Sequence, residues 1–595
     1  MGASRFVVGI DLGTTNSVLA YVDTGAGEID ADAPDIRVLP VPQIVKAGEV
    51  TAADRLPSFI YLPAAGEYAP ASLTLPWGRA EHVVGELARA RGAEVPGRVV
   101  SSAKSWLCAV AADPREPILP WNAPDDVPRL SPVAASAAYL AHLRAAWDAS
   151  MPEPLARQEV YLTVPASFDA AACELTVRAA VEAGLEGARL IEEPQAAFYA
   201  WLARTRGAWR RAVRLGDAVL VVDVGGGTTD LTLVVVSEEK GELVLERKAV
   251  GDHILLGGDN MDLALAHAVR ARLAAAGTTL DEWQFRGLAH GCREAKERLL
   301  AAEARQKEPV VVLGRSKRVI GGALRTEVTR AEVEATLTDG FFPVITADER
   351  PQAAGRLGLQ ELGLAYASDP AITRHIAAFL ARHREVAPAG PSALLFNGGV
   401  MKAATLRRRL TDVLQSWRPD GEPLRLLEGA HLDLAVAEGA ATYGLARRGR
   451  GVRIRGGTAR AYYVGVESSA PAVPGVPAPL KALCVAPFGM EEGNEVELPA
   501  AEFGLVVGRS AEFRFFGSSV RRDDRPGVVV DGWDAGELEE LAPLEATLDA
   551  AGEEGRTVPV RLRAHVTEVG TLELWCVARA GERRWKVEFN VRQSS

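Results

Sequence analysis

Up to about Gly444, short runs of β-branched and aliphatic residues alternate with longer stretches whose apolar positions recur three and four apart. Phe6–Ile10, Val160–Val164, Val219–Asp223 and Leu394–Phe396 have the length and composition of buried strands. Ala134–Trp147, Ala170–Ala183, Asn260–Ala275 and Ala403–Trp417 carry the helical period. Strands that alternate with helices predict mixed or parallel sheets covered by helices, an α/β architecture. The Pro- and Asp-rich stretch Asp113–Pro128 reads as a long loop, and the basic stretch Arg204–Leu215 reads as a surface insertion. After Arg447 the period changes to two. Val558–Val566, Thr571–Ala578 and Trp585–Arg592 alternate as strands, the last two joined as a hairpin. The chain thus divides into an α/β region over 1–446, a connector over 447–457 and an antiparallel β-sandwich over 458–595. Neither solenoid repeats nor heptads occur.

A chain of 595 residues exceeds one core, since single cores stop growing at roughly 250–300 residues. The 48% hydrophobic and 24% charged content is that of an ordinary globular protein. A net charge of -11 argues against nucleic acid as a partner, because phosphate backbones demand a basic surface. No apolar run approaches the ~20 residues of a membrane span. The five cysteines (Cys108, Cys173, Cys292, Cys484, Cys576) form no CxxC pair and the nine histidines no HExxH, so zinc chemistry is not expected. Isolated cysteines and a start that runs directly into Phe6–Ile10 point to a reducing cytoplasm.

Two segments carry the chemistry. The first is Gly9-Ile10-Asp11-Leu12-Gly13-Thr14-Thr15-Asn16, and the second is Asp223-Val224-Gly225-Gly226-Gly227-Thr228-Thr229-Asp230, about 210 residues later. Each places an Asp at the end of a hydrophobic strand, followed by a tight Gly/Thr turn and another strand. Glycines let backbone amides approach a phosphate closely, and threonine hydroxyls add donors. An aspartate at that place can order a hydrated Mg²⁺. Either segment alone would be an ordinary hairpin turn; it is the pair that suggests a clamp on a triphosphate. Neither is a GxxxxGK[ST] loop, and neither opens a helix as a dinucleotide fingerprint does.

The pair resembles the phosphate loops of the actin/hexokinase/Hsp70 superfamily, and the neighbouring segments resemble the Hsp70 family. Val160–Phe168 is similar to that family's "ITVPAYF" strand, and Ala183-Gly184-Leu185 with Leu190–Ala197 to its "AGL…RIINEPTAAA". Gly251-Asp252 with Leu256–Asp262, then Asn397-Gly398-Gly399 and Asp433–Ala441, resemble later family motifs in family order. The resemblance covers about residues 5–445. It implies two actin-like lobes around a nucleotide cleft, followed by the β-sandwich. It further implies ATP and Mg²⁺ as ligands and ATP hydrolysis as the activity. Asp11 and Asp223 would hold Mg²⁺ through water. Gly13, Thr14, Thr15, Asn16, Gly225, Gly226, Gly227 and Thr228 would cradle the phosphates. Lys104 falls at the family's catalytic lysine and Glu193 at the glutamate that positions water. Gly258, Lys296, Gly398, Gly399, Lys402 and Asp433 fall on adenosine-side positions.

The adenosine side departs from the pattern. Arg293, Glu297 and Leu300 stand where the family has Glu, Arg and Ser, and Lys402 replaces an arginine that stacks on adenine. A lysine cannot stack as a plane. The connector, with Val452 and Ile454 between arginines, differs from the family's Leu-rich linker. Ala461–Glu467 resembles the start of the family's substrate domain. Beyond it neither a helical lid nor an EEVD-like tail is read, which implies a lidless peptide cleft. The function implied is that of a molecular chaperone that couples ATP hydrolysis to binding of unfolded or extended peptide. A J-domain co-chaperone and a nucleotide exchange factor would be its partners, with neither nucleic acid nor membrane. The alternatives are a weakly hydrolysing nucleotide sensor of the same type and, behind it, a small-molecule (sugar) kinase.

Overall fold

The computed structural model describes residues 4–590 apart from 26, 28, 80–81, 93, 110–111, 253, 302–304, 314–322, 353–363, 430, 459, 468–479, 500–501, 519, 535, 550–554, 568 and 580–582. The chain forms two compact units, Met1–Arg453 and Ile454–Ser595.

The first unit is built on two sheets of the same topology. In one, β1 (Phe6–Leu12), β2 (Asn16–Asp23), β3 (Arg37–Val38), β4 (Glu159–Val164) and β5 (Arg189–Glu192) lie in the order β5-β4-β1-β2-β3. In the other, β6 (Ala218–Val224), β7 (Thr229–Glu239), β8 (Glu242–Val250), β9 (Ala393–Asn397) and β10 (Arg425–Leu426) lie in the order β10-β9-β6-β7-β8. Each sheet has an antiparallel hairpin at its centre, β1–β2 or β6–β7. Each then adds two parallel strands, β4 and β5 or β9 and β10. Asp11 and Asp223 therefore occupy equivalent places on the two central strands. The central strands read as continuous apolar runs, without polar alternation, because both faces are covered: β6 is buried at every position.

The four helices read from the apolar period are present with ends within three residues of those expected. The longer helices of the first unit are α1 (Pro132–Ser150), α2 (Ala170–Glu182), α3 (Glu193–Thr205), α4 (Gly258–Ala275), α5 (Glu282–Ala301), α6 (Arg330–Phe341), α7 (Ile372–Arg382), α8 (Ala404–Ser416) and α9 (Ala435–Arg447). Ser131 caps α1 by accepting from the Ala134 amide at 3.0 Å, and Asp169 caps α2 through Ala172 at 2.8 Å. The Ala/Gly-rich α9 lies against both β1 and α3, since a Cβ on Gly9 or on Gly439 would collide with the Ala437 or the Ala196 carbonyl. Asp113–Pro128 is a loop, as its composition predicts. Arg204–Leu215 lies largely at the surface, as expected, but is anchored there. Its first residues complete α3, Arg204 pairs with the buried Glu438 of α9 at 2.7 Å, and Trp209 and Val213 are buried. Two apolar anchors among its arginines decide its place.

The second unit is two antiparallel five-stranded sheets. Ala461–Glu467, Leu480–Ala486, Ser510–Ser518, Val529–Val530 and Glu539–Thr547 form one; Glu495–Glu497, Phe503–Val506, Thr557–Val566, Thr571–Ala578 and Arg584–Asn590 form the other. Phe515 of the first stacks on Phe589 of the second with ring centroids 4.2 Å apart, so the sheets face each other across one core. The expected hairpin pairs Thr571 with Asn590 and Val577 with Arg584; positions 591–592 of its second strand lie outside the described residues. Among the described residues, no helix is long and apolar enough to cross a membrane.

Candidate functional site

Each sheet delivers one aspartate and one glycine turn to a shared cleft. The turn after Asp223 is closed by the Gly225 amide donating to the Thr228 carbonyl at 2.9 Å. The two turns meet tip to tip. A Cβ on Gly226 would strike Thr15 Oγ1, and one on Gly227 would strike Ser105 Oγ and lie 3.2 Å from Thr14. Glycine is thus required at the second turn by close approach.

The duplicated topology also duplicates the support of each aspartate. Thr163 on β4 donates to Asp11 Oδ1 at 3.3 Å, and Asn397 on β9, directly opposite Asp223, donates to Asp223 Oδ2 at 2.6 Å. Gly398 follows with φ +85°, and a Cβ there would strike the Val224 carbonyl and lie 2.6 Å from Asp223 Oδ1.

Behind the hairpins lies an ion pair. Lys104, on the turn before Ser105–Cys108, is only 4% exposed and pairs with Glu193 at the first turn of α3. Its ammonium sits 5.9 Å over the Phe168 ring. Burial is the main influence on three carboxyls here. It raises Asp11 to about 7, with Glu193 adding and Lys104 opposing. It raises Asp223 well above the ordinary carboxylate range, with Glu193 and Asp230 adding. It raises Glu193 too, against the pull of Lys104. One lysine thus faces several buried carboxyls, a balance that a divalent cation would correct. Asp230 Oδ2 and Asn397 Oδ1 are buried without a partner, which leaves two oxygens for such a ligand shell. Asp11 and Asp223, one from each turn on the same cleft, fit an ion that keeps its water.

The remaining predicted residues lie along the same cleft, which encloses about 370 Å³. Asp11, Gly13–Asn16, Glu193, Asp223, Gly225, Gly226, Thr228, Gly258, Lys296, Gly398, Gly399, Lys402 and Asp433 all line it. Lys104 and Gly227 do not. The first reaches the cleft through Glu193, and the second turns toward Ser105 and Thr14. Both adenosine-side lysines are neutralised by carboxylates. Lys296 pairs with Asp262 at 2.6 Å, and Lys402 pairs with Asp433, which also holds Arg55 at 3.1 Å. Arg293 is committed to Asp262 at 2.7 Å and to Asp259 at 2.5 Å. Thr163, Asp230, Arg55 and the two carboxylates Asp259 and Asp262 were not singled out by the sequence, and Arg293 stood out only as a departure on the adenosine side. Asp230 stands inside the second glycine segment and was available; Arg55 carries no local signal at all.

Residues 70–347 match the family model described as Hsp70 protein. Over that stretch the chain is similar to the Hsp70 family. The chain is 32% identical over 322 residues to the chaperone protein HscA of Edwardsiella ictaluri, a match covering 52% of this chain and 44% of that one. To the HscA homolog of Methylibium petroleiphilum it is 34% identical over 345 residues, 56% and 46% of the two chains. To that of Paracidovorax citrulli it is 30% identical over 394 residues, 63% and 54%. The chain spans about half the length of these curated relatives. An Hsp70 domain has an actin-like ATPase fold, and the duplicated sheets of the first unit are that fold.

Proposed function

We propose that this chain is an Hsp70-type chaperone that hydrolyses ATP and couples hydrolysis to the binding of extended peptide. The observation that carries the reading is the meeting of two aspartate-led glycine turns across one cleft, with a buried Lys104–Glu193 pair beside them. On this reading residues 1–446 are the nucleotide domain, 447–457 the linker and 458–595 the peptide domain. Amides of Gly13 and Gly225–Gly227 and hydroxyls of Thr14, Thr15 and Thr228 hold the β- and γ-phosphates. Asp11 and Asp223 hold hydrated Mg²⁺, which neutralises charge on the phosphate oxygens when bound. Glu193 orients the attacking water, and Lys104 offsets the charge that spreads over the transferred phosphoryl group. Gly258, Gly398 and Gly399 let the nucleoside approach the backbone, and Lys296, Lys402 and Asp433 flank it. The sandwich takes extended peptide by backbone hydrogen bonding and side-chain pockets. A J-domain protein and an exchange factor are the partners of such a cycle, and the cytoplasm is its compartment.

A nucleotide sensor that binds without turnover is the second reading, favoured by the pairing of Lys296 and Lys402 with carboxylates. Single-turnover hydrolysis with and without unfolded peptide separates the two. The chaperone reading expects turnover that peptide accelerates. It expects a loss on the order of 10²–10⁴-fold in Glu193→Ala and Lys104→Ala with folding intact. Binding with no phosphate release from the wild type transfers the case to the sensor.

A further inference from the structure

A second buried ion pair stands directly behind the first. Glu192, the last residue of β5, and Arg247, on β8, pair with side chains only 1% and 4% exposed. β5 is the edge of the first sheet and β8 the edge of the second, so the pair joins the two lobes. Arg247 lies at an irregularity of the β7–β8 ladder, where Leu233 pairs with Ala249 and Val234 with Arg247. β7 in turn begins at Thr229, immediately after the second glycine turn.

Glu192 is also the N-cap residue of α3, in extended conformation, and its side chain makes no capping hydrogen bond to the helix. The next residue is Glu193. The backbone therefore passes from strand to helix between two adjacent carboxylates that point to different partners. Glu192 goes to Arg247 in the second lobe and Glu193 to Lys104 in the first. A carboxylate that must place a water molecule needs its own Cα fixed, and misplacement by about 1 Å can cost on the order of 10²-fold in rate. A buried guanidinium–carboxylate pair is a directional way to fix it. Burying such a pair brings little net stability, since two well-packed neutral side chains serve as well. Stability alone therefore does not account for a pair at this place.

We infer that Arg247 is a positioning residue for hydrolysis: through Glu192 it fixes the start of α3, and hence Glu193, relative to the second lobe. The inference rests on the ATPase reading and deepens it, because β8 follows the second glycine turn through β7. The lobe that carries half of the phosphate clamp thereby also sets the position of the glutamate.

The test measures ATP affinity, single-turnover hydrolysis and melting temperature for the wild type, Arg247→Met, Arg247→Lys and the double variant Glu192→Gln/Arg247→Met. Arg247→Met strands a buried carboxylate and is expected to lose stability as well as rate. The double variant leaves no charge unpaired and recovers the melting temperature. Its hydrolysis nonetheless stays on the order of 10²-fold slow, with ATP affinity within about twofold of wild type. Arg247→Lys retains part of the rate. A double variant whose rate returns along with its stability overturns the inference and leaves the ATPase reading standing. A wild type that binds ATP and releases no phosphate removes both.

Discussion

Asp11 must carry a charge where the fold makes charge costly. Burial and the neighbouring Glu193 raise its carboxyl from the ordinary 3.8 to about 7. A folded value above the unfolded one means that the folded chain holds the proton more tightly. Ionisation then removes stability as pH rises between those two values, and costs nothing below the lower one. The cost levels off above the upper value, at an upper limit of roughly 4 kcal/mol. Asp11→Asn removes that cost and is expected to raise the melting temperature of the nucleotide-free protein at pH 8. The gain shrinks toward zero as pH falls to about 4, and the same variant weakens Mg²⁺–nucleotide binding. Melting curves across that range check the sign; a variant less stable than wild type at pH 8 would show that Asp11 is not strained. Asp11, Asp223 and Glu193 were legible because the resemblance fixes each by a local motif. Thr163 and Asn397, their hydrogen-bond partners, stand in the sequence only as members of longer motifs. Their role depends on which strand lies beside which, and register between β4 and β1 or β9 and β6 is a tertiary fact.

At the scale of elements, the site depends on how closely α9 can approach α3. Gly439 faces the Ala196 carbonyl and lies 3.0 Å from the Ala200 amide at its hypothetical Cβ. Alanine gains about 1 kcal/mol over glycine in a helix interior, but overpacking such a contact costs about 1–3 kcal/mol and more when both sides are backbone. The collision wins. Gly439→Ala is expected to lower the melting temperature and to slow hydrolysis, since α3 begins at Glu193. Gly399→Ala, whose Cβ would meet nothing within 4 Å, leaves the melting temperature unchanged. Equal melting of the two variants and wild type would remove the steric argument. The same helix shows what periodicity could not reveal. α9 is buried nearly all round, so it has no polar face and no amphipathic stripe; only its motif exposed it. α2 and α8 keep exposed faces and were read from their pattern with ends within a residue or two. β3 and β10, two residues each, are too short for any period to register.

At the scale of the whole molecule, the change of period after Arg447 reflects two kinds of core. The first unit buries sheets under helices; the second buries Phe515, Phe589 and the alternate residues of Thr557–Val566 between two sheets. Units with separate cores melt separately unless something couples them. Calorimetry is therefore expected to resolve two transitions. A non-hydrolysable Mg²⁺–ATP analogue at 100 times its Kd stabilises the unit that binds it by about 2.7 kcal/mol, and peptide does the same for its own. Coupling, if the chain works as a chaperone, then has a thermodynamic signature that no single titration supplies. Whatever factor ATP applies to peptide affinity, peptide must apply to ATP affinity, because the two measurements close one cycle. Peptide binding by residues 454–595 that is indifferent to nucleotide, alongside ATP binding indifferent to peptide, would leave two competent units and no chaperone cycle.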